Sequence, residues 1–239
     1  MIKIQRSPEP PESLAKEKKK KKGSYRKQDV HDKLKENFYN KCYICESNPV
    51  MSREVEHLRP HHKAEFGGEY WDRKFDWKNL FLSCRHCNLL KGEQENILDC
   101  CEDDPEKVLR QKLMGANVVV ESRNSGDASV VATAKLIQES FMAQTPPARK
   151  LDAEDRRKLL QEEILHITKT LNQYRRARKS KRKAELLETL RQMVQLDQAY
   201  AGFIRTEVRE LQWSCPELKE LLEIDEQNVQ SCAETEVRV

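Results

Sequence analysis

Apolar residues recur at helical spacing along much of this chain, and three short stretches cluster or alternate like strands instead. Val30, Leu34, Phe38 and Tyr39 give one apolar helix face within Tyr25–Lys41. Residues 129–142 (SVVATAKLIQESFM) carry a second helical pattern. From Asp152 onward, Leu159, Leu160, Ile164, Ile167 and Leu171 form a third stripe, with Asp152 as N-cap and Asp155 three residues later in a loose capping box. Residues 181–210 predict another helix, and Pro216 opens a short one. The strand-like runs are 53–58 (REVEHL), 79–83 (NLFLS) and 117–122 (NVVVES), the last followed by a turn at 123–127 (RNSGD).

Between these elements the chain carries clear punctuation. Pro8, Pro10 and Pro11 predict an extended or turn-rich, non-helical start over residues 1–14. The lysine run at 16–22 (KEKKKKK) reads as mobile. Gly67-Gly68 falls in the loop between the first two strands, and a helix is expected from Cys84 or Cys87 towards Ile97. Asp103-Asp104-Pro105-Glu106 reads as a helix start, and 144–150 (QTPPARK) as a linker. The sum is an α+β chain in four parts. Residues 1–30 are an extended basic segment and 31–110 a compact site-bearing domain; 111–150 are a small α/β extension and 151–239 a helical C-terminal region.

Composition narrows the setting. No run of 18 apolar residues is present, so no membrane-spanning helix is expected, and MIKIQRSPEPPESL has no apolar core of a secretory signal. Both features predict a cytoplasmic protein in which eight cysteines are reduced. The net charge of +4 is unevenly spread. Residues 1–30 hold ten Lys/Arg against four Asp/Glu, and 175–183 (RRARKSKRK) hold seven Lys/Arg and no acid. Such blocks suit a phosphate backbone, although solvated faces are the commoner use of charge runs.

The chemistry concentrates in residues 42–96. Cys42-x-x-Cys45 and Cys84-x-x-Cys87 each present two thiolates on one turn, and two such turns complete a tetrahedral structural zinc site. Thirty-eight residues separate the pairs, and within or just after that insertion lie Glu56-His57, Asn79 and Asn88-x-x-Lys91. A histidine titrating near neutrality can take a proton from water. A carboxylate and an amide oxygen are hard ligands suited to Mg²⁺. Cys100, Cys101, Cys215 and Cys232 read as packing, as do Trp71, Trp77 and Phe81; His61 and His62 read equally as phosphate contacts or as surface residues, and His86 carries no assigned role.

Together CYIC, VEH, WKNL and LSCRHCNLLKG resemble the HNH endonuclease family over about residues 42–92. The resemblance implies a ββα-metal core, here with a four-cysteine zinc knuckle, that hydrolyses phosphodiester bonds of DNA or RNA. It implies His57 as general base and Asn79 as brace of the His57 loop. Glu56 and Asn88 would be ligands of a catalytic Mg²⁺ or Mn²⁺, with Asn88 standing where many members have histidine. Lys91 and His61 are candidates for phosphate contact. A softer similarity over most of 1–140, in MIKIQRSPEPPES, VEHLRP and Asp103-Asp104-Pro105-Glu106, is to an HNH subgroup of Septu antiphage defence and retrons. It implies a gating partner, an ATPase of the PtuA-type ABC class, and in some members a retron reverse transcriptase with its multicopy single-stranded DNA. The alternative is a catalytically inactive zinc-knuckle module that binds nucleic acid or protein.

Overall fold

The computed structural model describes residues 1–50, 52–63, 68–211 and 215–222. Helices α1 (Glu12–Lys18) and α2 (Gln28–Asn37) precede strand β1 (Arg53–His57). A short ribbon, β2 (His62–Lys63) with β3 (Gly68–Glu69), leads to α3 (Trp71–Lys74), a 3-10 turn at Trp77–Asn79, and β4 (Leu80–Cys84). Strand β4 pairs antiparallel with β1, setting Glu56 opposite Phe81 and His57 opposite Leu80. Helix α4 (Arg85–Lys91) follows without a break, so a hairpin and a helix stand together as the sequence pattern predicts. Gly92 ends α4 with φ 52° and ψ −129°, a conformation natural only to glycine, and this stops the helix short of the expected Ile97. Gly67 of the predicted loop lies outside the described residues, and Gly68 opens β3.

Aromatic packing fixes the back of this unit. Phe38, just past α2, meets Phe81 at 5.4 Å, and Tyr43 meets Phe81 at 4.9 Å. The Arg6 guanidinium lies over Phe81 and Trp77 at 4.7 and 4.9 Å. The N-terminus is extended up to Pro11, as expected, and it is docked: Met1, Ile2 and Ile4 are buried, and the Ile4 amide donates to the Cys100 carbonyl at 2.8 Å. The prolines do not keep residues 12–18 from forming α1, because Pro11 stands just before the helix, where its missing N–H costs nothing. Nor is the lysine run a free tail. Leu14 is buried, Lys20 pairs with Glu17, and Gly23 packs so closely that a Cβ there would lie 1.9 Å from the Glu17 carbonyl oxygen.

Past the hairpin unit the pattern is partly revised. Pro105 does start a helix, α5 (Pro105–Val108), capped by Asp104, but it lasts one turn. It gives way to β5 (Leu109–Met114), which pairs antiparallel with β6 (Asn117–Ser122). Helix α6 (Ala128–Met142), N-capped by Asp127, covers β6. Helix α7 (Pro147–Arg176) begins inside the expected linker, since Pro147 suits a first helical turn, so Asp152 is not its N-cap. Of its stripe Leu160, Ile164, Ile167 and Leu171 are buried, while Leu159 is exposed. The single helix expected over 181–210 is two, α8 (Ser180–Met193) and α9 (Ala201–Leu211). The buried Lys41 ammonium takes the Leu196 and Gln198 carbonyls, and Tyr200 turns the chain at φ 54°. Residues 217–222 are helical, as Pro216 suggests, and Cys232 lies outside the described residues. No helix among the described residues is long and apolar enough to cross a membrane.

Phe141 joins α6 to α9: it is fully buried, edge-on to Phe203 at 5.4 Å. Phe141→Ala is expected to lower unfolding free energy by about 3–5 kcal/mol, read as a shifted midpoint in urea denaturation; an unchanged midpoint would show that α6 and α9 are not coupled through this ring.

Candidate active site

The first cysteine pair sits on the turn after α2, and the second spans the β4–α4 junction. Cys42, Cys45, Cys84 and Cys87 are buried and free of disulfides, with their sulfurs within 4.8 Å of one another. The Cys45 and Cys84 sulfurs lie 3.9 Å apart. Zinc–sulfur bonds of about 2.3 Å in a tetrahedron space sulfurs about 3.8 Å apart, so the donor set fits zinc. The Cys84 sulfur also accepts the Cys87 amide at 3.5 Å, and the Arg156 guanidinium stands 3.3 Å from it. Burial opposes the Arg156 charge, but facing Cys45, Cys84 and Cys87 outweigh it and raise its pKa. His86, between the second pair, turns away to the Ser140 carbonyl and Asp152.

An open cleft of about 190 Å³ lies at the other end of α4, lined among others by Tyr25, Arg26, Glu56, His57, His61 and Asn88. His57 is almost wholly buried, and its Nε2 lies 3.1 Å from the Lys74 carbonyl. A carbonyl can only accept, so Nε2 carries the proton and Nδ1 is left as the basic nitrogen. Burial, then the neighbouring His61, pushes the pKa of His57 down to about 3. His61 lies against the His57 ring at 4.0 Å, and Tyr25 meets it edge-on at 4.5 Å.

Asn79 makes three hydrogen bonds from one side chain. Its Oδ1 accepts the Arg59 amide at 2.8 Å, while Nδ2 donates to the carbonyls of Arg59 and Arg73 at 2.9 and 3.0 Å. The loop leaving β1 is thereby tied to the segment whose Lys74 carbonyl holds His57. Glu56 is buried and pairs with Lys91 at 2.9 Å. Burial raises its pKa, with Lys91 working in the other direction. Asn88 turns its amide nitrogen to Glu54, leaving its amide oxygen as the remaining donor atom. Two hard oxygens on one cleft fit a small divalent cation.

Lys91 is not the exposed lysine its type suggests. It is wholly buried, and its ammonium also donates to the His57 carbonyl at 2.8 Å, so α4 is bonded to β1 on both sides of the Glu56–His57 step. Sequence reasoning missed Glu54, although a strand places Glu54 and Glu56 on one face. It also missed Tyr25 and Arg26, which no local motif marks and which reach the cleft by tertiary folding.

Residues 42–94 match the family model of the HNH endonuclease, and that stretch is an HNH-family domain. The chain is 29% identical to the Septu protein PtuB of Bacillus mycoides (strain KBAB4), across 45% of this chain and 46% of that protein. It thus spans less than half the length of this curated relative. No solved structure matches it significantly.

Two outcomes are expected. Cys84→Ser should lose stoichiometric zinc and unfold the hairpin region, because structural zinc binding supplies folding free energy; metal content and circular dichroism read this, and a folded, zinc-free variant would contradict it. The second concerns pH. Below pH 6.5 the unfolded chain takes up a proton that folded His57 refuses down to about pH 3, so stability is whole above 6.5 and drains as pH falls. Without added divalent cation, wild type should therefore lose about 2 kcal/mol more than His57→Gln between pH 6.5 and 5, by urea titration at each pH; parallel losses would mean His57 is not held neutral.

Proposed function

We propose that this protein is a metal-dependent endonuclease that hydrolyses phosphodiester bonds of nucleic acid with His57 as general base. The observation that carries the reading is the His57 ring, held at Nε2 by the Lys74 carbonyl, which leaves Nδ1 as the nitrogen with a lone pair for a proton from water. In this reading a water oxygen attacks phosphorus while its proton passes to Nδ1, and the bond from phosphorus to the leaving oxygen breaks. Asn79 keeps the β1 loop and the Lys74 carbonyl in register, which fixes the direction of Nδ1. Glu56 and Asn88 would hold the divalent cation, Mg²⁺ or Mn²⁺. Bound there, it supplies charge neutralisation at the phosphate and, through its waters, an acid for the leaving oxygen. The four cysteines would hold structural zinc.

The similarity to a Septu protein supports placing this nuclease in antiphage defence. We infer that it works there with an ATPase of the PtuA-type ABC class, because a free nuclease would damage its own host. A second reading rests on the Lys91–Glu56 pair. A carboxylate already neutralised by a buried ammonium is a weaker cation ligand, and this favours a module that binds nucleic acid without cutting it.

Cleavage of plasmid, single-stranded DNA and total RNA, with and without Mg²⁺ and with the ATPase present, separates the two. Metal-dependent cutting that falls about 10²–10⁴-fold in His57→Ala is expected. Equal cutting by the variant would remove His57 from the chemistry, and no cutting under any condition would leave the binding module.

A further inference from the structure

Positive charge continues out of the cleft past Arg26, whose guanidinium lies over the Tyr25 ring at 5.2 Å. A second open groove, of about 540 Å³, is lined by Gln28, His31, Asp32, Lys35 and Arg53. The first four follow the i, i+3, i+4, i+7 spacing and so share one face of α2, while Arg53 opens the strand that ends at His57. Burial, then Arg53 and Arg26, lowers the pKa of His31, so both guanidiniums stand near this imidazole. Asp32 is the acid lining this groove, and its carboxylate accepts from Gln28 Nε2 at 2.9 Å. Arg53 gives one nitrogen to the Asn40 amide oxygen at 3.3 Å. Arg26, Lys35 and Arg53 are exposed, and none has an ion-pair partner among the described residues.

We propose that Arg26, Lys35 and Arg53 form a backbone track that leads a nucleic-acid strand over α2 into the His57 cleft, gripping phosphates that flank the scissile one. The inference rests on the nuclease reading for its substrate and goes beyond it in assigning the approach path. From Gln28 to Lys35 the helix advances about 10 Å. The phosphates of one strand rise about 3.4 Å each along a duplex axis and lie further apart along the strand itself, so this face reaches about two of them. Ammonium, guanidinium and amide donors along one face suit phosphate oxygens, which position a strand without reading its sequence. Arg26 and Lys35 lie outside residues 42–94, so two of the three cations of the track come from the N-terminal region, and Arg53 joins them to the matched domain.

The test is equilibrium binding of labelled single-stranded and duplex DNA to the full chain, without divalent cation, over a range of salt. Lys35→Ser/Arg53→Ser is expected to bind more weakly and to flatten the slope of log affinity against log salt by about 1.4 for a single strand or about 1.8 for a duplex. Lys35→Ser alone, an exposed helix position, should flatten it by about 0.7–0.9 and covers the case in which the double variant misfolds. Lys35→Arg/Arg53→Lys should restore the wild-type slope. An unchanged slope in the serine variants overturns the track, as does absence of binding by wild type. It is equally overturned if Arg178→Ser/Lys181→Ser, in the basic 175–183 block, flattens the slope while the α2 variants do not. Because binding is read without cutting, the two readings fail separately: the expected slopes in a chain that never cuts sink the enzyme alone, and a cutting chain with unchanged slopes sinks the track alone.

Discussion

Four buried sulfurs within 4.8 Å of one another are the constraint on which the rest of the site hangs. Four thiols crowded without a disulfide or a cation would be poorly packed and, once ionised, mutually repulsive; a zinc ion converts that crowding into folding free energy. The cluster brings together turns separated by 38 residues and so fixes where β4 ends and α4 begins. Tyr43, inside the first pair, donates its amide to the Leu82 carbonyl at 3.0 Å, which carries the same anchoring into the hairpin. From there the β1–β4 register alone sets the height of Glu56 and His57 on the strand.

Lys91 is the second anchor, and it acts through charge rather than through a metal. A buried ammonium requires a full set of partners, and here it has the Glu56 carboxylate and the His57 carbonyl. Helix α4 is therefore held at both ends, by the cysteines at its start and by Lys91 at its finish. Asn88 lies between these anchors, which leaves its amide little choice of direction. The C-terminal helices brace the same unit from behind. Glu46, next to Cys45, accepts the Gly202 amide of α9 at 2.9 Å, and Arg205 is bonded through both oxygens of Glu106.

Elements written in a local period were legible, because the residues that form them also bury the faces they expose. Strands β1, β4 and β6 and helices α2 and α6 are of this kind, and so are the cysteine pairs, where spacing is itself the chemistry. What was not legible depends on partners far away in the chain. Pro105 is a true helix start, yet the chain beyond it becomes β5 because β6 offers a ladder. At the α8–α9 break the carbonyls of Leu196 and Gln198 accept from Lys41, more than 150 positions earlier, a partner that no local pattern marks. Lysine type predicts exposure, and only the meeting of α4 with β1 makes Lys91 a core residue. Tyr25 and Arg26 reach the cleft because α1 and the close turn at Gly23 fold the N-terminal segment back onto it.

His57 faces two demands that pull against each other. A general base must be unprotonated, which burial secures, yet it must stand beside an anionic phosphate, whose charge would draw a proton back to the ring. Neighbouring groups set where that balance lies. His61, Lys91 and Arg26 each oppose protonation of His57, and they do so after burial has already lowered its pKa. The potential that holds Nδ1 unprotonated is the one that attracts phosphate, and the charge of a bound phosphate then raises the basicity of the ring toward what proton transfer from water needs. Arg26 stands where both effects act, at the rim of the cleft and beside the α2 face. A substitution there would change substrate approach and the readiness of the base together, whereas Lys35 and Arg53, further along the face, bear on approach alone.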